Sequence, residues 1–162
     1  MTFNTYIEEA KDNLQIDGWT DNWNEVINLA KEKYWNSEEF KQLKSDTLYF
    51  SNNTCRLCKK TTQLTAHHIF YGQADITICL CNSCHSLIHS NEFKKYGLFL
   101  QYVLYSLETT IDIIPPNLTD MCLNVACELM NKTGNSNLFD TWFENSSEAT
   151  QFWSNYKNDK NT

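Results

Sequence analysis

Glycine and proline are scarce, four and two in 162 residues, which leaves few of the turn and edge positions that a β-sandwich requires. The chain is therefore read as helix-rich, and 41% hydrophobic content argues against disorder. No apolar run approaches the length of about eighteen residues that marks a membrane span. The start, MTFNTYIEEAKDN, has neither the basic region nor the apolar core of a signal peptide. The expectation is a soluble, cytoplasmic protein with no membrane partner. Repeats and low-complexity tracts are also missing, and the length suits one domain with an embedded module.

Positive charge is in short supply too. Thirteen basic against twenty acidic residues give a net charge of -7, which opposes a phosphate-rich partner. The distribution qualifies that objection. Residues 1–54 balance to -5, residues 55–95 to +3 and residues 96–162 to -5. The one positive segment also holds the residues with the most chemistry.

Apolar spacing predicts the helices. Tyr6, Ile7, Ala10 and Leu14 mark a first; Trp23, Ile27, Ala30 and Tyr34 mark a second, capped by Asp21. A third begins near Asn36, with Glu39 completing a capping box, and runs through Phe40 and Leu43 towards Leu48. Residues 96–110 are apolar enough for one buried helix ending before Pro115-Pro116. Leu118, Met121, Cys122, Val125 and Leu129 mark another, stopped near Gly134, and Phe152, Trp153 and Tyr156 suggest a last amphipathic segment. Strand signals are confined to Leu64–Ile69 and Ile76–Cys81. The fold class is α+β, mostly helical: a flank over 1–36, a central module over 37–95, and a second flank over 96–162 that packs with the rest.

With no sign of secretion, the seven cysteines are metal ligands and core residues rather than disulfides. Cys55-Arg-Leu-Cys58 and Cys81-Asn-Ser-Cys84 are two C-x2-C pairs separated by 22 residues, the pattern of two knuckles around one tetrahedral zinc. Four thiolates close the coordination shell of zinc, so the site is structural. Cys79 is read as a strand residue beside this frame, and Cys122 and Cys127 as small core residues on one helix.

All four histidines, His67, His68, His85 and His89, lie inside or beside that frame. His67 and His68 are neighbours on a predicted strand, so their side chains face opposite sides: one suits a metal and the other a substrate. His85 and His89 are four apart on a predicted helix and share a face, which suits a second metal ion.

The run CRLC, then eight residues, HHIFY, and CLCNSCHSLIH resembles the HNH endonuclease superfamily. The likeness extends upstream to SEEFKQLKSDTLYFSNNTC and covers roughly residues 37–90. It implies a ββα-metal module on a treble-clef zinc frame and an enzyme that hydrolyses phosphodiester bonds of DNA, as an endonuclease or nickase. Position by position, it implies His68 as general base and His67, His85 and His89 as ligands of a divalent catalytic ion, Mg2+, Mn2+, Ni2+ or Zn2+. An imidazole of ordinary pKa near 6.5 takes a proton from water close to neutral pH. Compact asparagine-rich members of the family are common in phages and in bacterial mobile or defence loci.

One position departs from the family pattern. The residue that orients the base is expected nine places before the helical histidine, where this chain has Ile76. Isoleucine cannot do that, so Asp75, one residue away, is expected to take the role through a bulge. Arg56, Lys59, Lys60, Lys94 and Lys95 are the candidate phosphate contacts. The competing expectation is a catalytically weakened zinc scaffold whose acidic helical flanks recruit or inhibit a basic protein, a reading that the net charge favours.

Overall fold

A computed structural model of the chain describes residues 3–15, 22–70, 76–108 and 119–139, with single positions at 151, 155 and 158. Among these, helices dominate and one two-stranded sheet sits at the centre. None of the described helices is long and apolar enough to cross a membrane. The expected segment around Phe152, Trp153 and Tyr156 lies outside the described residues, as do Asp21 and Leu118.

Helices α1 (Phe3–Leu14) and α2 (Trp23–Asn36) pack through residues three and four apart. Phe3, Tyr6 and Ala10 meet Val26, Ala30 and Tyr34 in a core of their own, bordered by Trp23, Leu29 and Phe40. α2 ends where Ser37 turns extended, and α3 (Glu38–Phe50) starts there. The expected cap is displaced by one residue. Asn36 is still helical, with its side chain donating to the Glu32 carbonyl, so the hydroxyl of Ser37 accepts the free Phe40 N–H at 3.1 Å. Glu39 does not complete a box with Asn36; it accepts a hydrogen bond from the Tyr6 hydroxyl at 3.2 Å and ties α3 to α1.

Strands β1 (Leu64–Phe70) and β2 (Ile76–Cys81) pair antiparallel, with Leu64 opposite Cys81, His67 opposite Ile78 and His68 opposite Thr77. The register shifts between His68 and Phe70, so that Phe70 comes to face Ile76. α4 (Asn82–Ile88) follows β2 directly.

The helix expected over 96–110 is α6 (Leu98–Ser106), preceded by a separate short helix, α5 (Asn91–Lys94), with residues 109 and 110 outside the described set. Gly97 separates the two: its φ of 51° is left-handed, a conformation open to glycine, and α6 starts only after it. α7 (Thr119–Thr133) stops at Gly134 as expected, with φ 67°. Leu100, Val103 and Leu104 of α6 join Cys122, Val125, Ala126 and Leu129 of α7 in one core with Leu57, Ile78, Leu80 and Ile88. The C-terminal flank thus shares its core with the cysteine-bearing centre, while α1 and α2 keep a separate one.

Candidate metal centres

The first knuckle is a tight turn. Cys55 N–H donates to the Lys60 carbonyl at 2.7 Å, Lys59 N–H to the Cys55 carbonyl at 3.0 Å, and Lys59 takes a positive φ of 65°. Arg56 N–H donates to the Cys79 carbonyl at 2.9 Å, which fastens this turn to β2. The second knuckle needs no loop, because Cys81 ends β2 and Cys84 lies in the first turn of α4. Together these bring all four sulfurs within 4.8 Å of one another, with Cys58 and Cys81 at 3.6 Å. Zn–S bonds of about 2.3 Å set tetrahedral S···S edges of about 3.8 Å, so the quartet fits one structural zinc.

The electrostatics agree. A hydrogen bond from Cys84 pulls the Cys55 thiol down to about 4, while that contact and burial push the Cys84 thiol up. Burial also raises Cys58. Four crowded thiols have too few acceptors for their protons, and a dication replacing those protons satisfies every sulfur at once. Cys79, Cys122 and Cys127 are buried and are not members of the quartet. Burial pushes the thiol of Cys122 up to about 11 and that of Cys127 to about 12, as for inert core cysteines.

A second group forms between β1 and α4. His67 of β1, His85 of α4 and His89 at the end of α4 bring ligand nitrogens within 4.8 Å of one another. Their ring centroids are 5.2 Å (His67–His85), 5.0 Å (His67–His89) and 4.7 Å (His85–His89) apart. Burial, then the neighbouring His85 and His89, hold the His67 pKa down to about 3. Burial lowers His85 and His89 as well. Three imidazoles brought this close from one strand and one helix fit a divalent ion, and three protein ligands leave a coordination position open.

His68 is not in that group. Strand alternation turns it to the opposite face, beside Thr77, whose hydroxyl meets that of Thr47 from α3 at 2.6 Å. There Tyr34 Oη lies 3.1 Å from His68 Nε2, and the Phe40 ring stacks on the imidazole at 5.5 Å and 21°. His68 is 7% exposed, the one polar side chain buried to that degree among the described residues. Tyr34 and Phe40 had been legible only as apolar helix positions. Nothing local announces a partner 34 positions away.

The basic candidates divide. Arg56 is engaged: Nε donates to Glu108 at 2.7 Å and Nη2 to the Leu107 carbonyl at 2.6 Å. Lys59, Lys60, Lys94 and Lys95 are exposed, and the Lys95 ammonium sits 4.7 Å over the Tyr96 ring. Asp75 lies outside the described residues. Ile76 faces Phe70 and borders the main core. Comparison with family models, curated proteins and solved structures gives no match for this chain.

Proposed function

We propose that the chain is a metal-dependent nuclease of the HNH type, hydrolysing phosphodiester bonds of DNA as an endonuclease or nickase on a zinc-stabilised ββα frame. The observation that carries this reading is the trio His67, His85 and His89: three imidazoles whose ligand nitrogens lie within 4.8 Å of one another, beside the elements that carry the cysteine quartet. A structural role would be met by the quartet alone. A divalent ion held by the trio would polarise the phosphate and offset charge on the leaving oxygen.

His68 is the general base in this reading. It takes a proton from water as the water oxygen bonds to phosphorus; the opposite P–O bond breaks, and the leaving oxygen is protonated from solvent. Among the described residues β1 pairs with β2 alone, so His67 and His68 flank a strand edge that no other strand occupies.

A second reading, an acidic zinc scaffold that binds a basic protein, has its own support. The net charge is -7, and the adjacent rings of Tyr49 and Phe50 at the end of α3 are 74% and 79% exposed. A plasmid-nicking assay in Mg2+, Mn2+, Ni2+ or Zn2+ separates the two. The nuclease reading expects relaxed circles from wild type and none from His85→Ala; equal, background-level products from both proteins would leave the scaffold standing.

A further inference from the structure

Tyr49 and Phe50 are the most exposed large apolar side chains among the described residues, and α3, which carries them, has no buried residue. They are consecutive on its last turn, and their rings meet edge to face at 5.6 Å and 74°. That contact uses the edge of one ring and leaves ring faces open to solvent.

The corner beneath them is fixed. Ser51 N–H donates to the Thr47 carbonyl at 3.2 Å and Asn53 N–H to the Leu48 carbonyl at 2.8 Å. Asn52 and Asn53 both take a left-handed φ, 53° and 50°, which asparagine tolerates. Thr47 ties the same turn to β2 through the Thr77 hydroxyl at 2.6 Å. The chain then enters the first knuckle at Cys55, at most about 18 Å of extended chain from Phe50. There Cys55 N–H donates to the Lys60 carbonyl at 2.7 Å. Lys59 and Lys60 are exposed, and neither makes an ion pair among the described residues. Asp46, the carboxylate one turn before the rings, accepts from the Gln42 amide at 2.8 Å.

We propose that this corner binds single-stranded DNA, with Tyr49 and Phe50 stacking on unpaired bases and Lys59 and Lys60 meeting the adjoining phosphates. This rests on the nuclease reading and narrows its substrate to single strands and melted stretches. Bases in a duplex are stacked on both faces and show a protruding ring only their edges, whereas an unpaired base offers a π-face. A basic protein on the same corner would bring like charge against the two lysines.

Fluorescence anisotropy on the full-length, zinc-loaded chain tests this, with labelled oligothymidine and a labelled hairpin duplex of equal phosphate number as probes. Wild type should bind the single strand more tightly. Phe50→Leu keeps an apolar side chain without a π-face and should weaken that complex about 5- to 150-fold, whereas Phe50→Trp should hold or tighten it. Neither should change duplex binding or zinc content. Tyr49→Leu gives the same reading at the neighbouring ring should Phe50→Leu fail to fold. Preference for the duplex overturns the proposal, as does single-strand affinity equal in wild type, Phe50→Leu and Tyr49→Leu. A folded wild type that binds neither probe overturns it too and leaves the rings to a protein partner. Stacking-dependent binding by a chain that cleaves no DNA sinks the nuclease reading with the platform intact. Cleavage of linear duplex without any dependence on the two rings sinks the platform and leaves the nuclease standing.

Discussion

Arg56 shows how a side chain named for one task can be held for another. Its guanidinium joins the first knuckle to the end of α6 through Glu108 and the Leu107 carbonyl. Burial raises the Glu108 carboxyl and the Arg56 contact only partly reverses it. The folded chain therefore keeps that proton to higher pH than the unfolded chain, and stability should fall as pH rises through the window above 4.5. Glu108→Gln, which can still accept from Nε, should flatten that slope in thermal melts taken across pH. Arg56→Ala leaves the carboxylate and a carbonyl without their donors and should cost about 1–3 kcal/mol at neutral pH. Melts insensitive to Arg56→Ala would return this residue to the phosphate contacts. The sequence could not separate the two roles, because Arg56 and Glu108 are 52 positions apart. His67, His85 and His89 were more legible, since strand alternation and helical i, i+4 spacing are local rules.

At the level of elements, the knuckles, both strands and α4 are cross-tied around the quartet, with too little apolar surface to order themselves. Cys84→Ala should remove tightly bound zinc, one ion per chain in wild type. Because Leu57, Ile78, Leu80 and Ile88 share a core with α6 and α7, the loss should spread to those helices. Metal analysis paired with hydrogen exchange checks both parts; intact protection in α6 and α7 without zinc would contradict the shared core. The strands were legible because Ile76, Ile78 and Leu80 alternate cleanly. The start of α3 was not, because Asn36 and Ser37 are both good caps and only the backbone decides which leaves the helix first. An almost unbroken apolar run likewise hid that α6 starts only after Gly97, two residues later than expected.

The whole molecule is acidic, and its four exposed lysine candidates, Lys59, Lys60, Lys94 and Lys95, are the limit on how many phosphates it can neutralise by these residues. Each phosphate contact on duplex DNA contributes about -0.9 to the slope of log K against log salt, so the measured slope should not be steeper than about -4. Lys59→Ala with Lys60→Ala should make it shallower by about 2 units. Titration of labelled duplex by fluorescence anisotropy at several salt concentrations checks this, and a slope indifferent to both lysines would place the nucleic acid elsewhere. Composition revealed the charge balance but not the division into two cores. That division depends on the side chains α2 and α3 turn towards β1, where Tyr34 and Phe40 meet His68.

The bulge after His68 has a consequence for identity itself. Two chemically identical neighbours on β1 differ by nothing except which face each occupies: His67 lies with His85 and His89, His68 with Tyr34. A slip of one position would turn His68 to the face of His85 and His89 and put Ile69, not His67, in the place beside Tyr34. The shift between His68 and Phe70 marks one point at which that slip is resisted, since it absorbs an extra residue beyond the pair and leaves the pair in place. An insertion or deletion of one residue on the Leu64 side of the histidines would therefore turn both to the opposite face, whereas changes in length beyond the bulge would leave both in place.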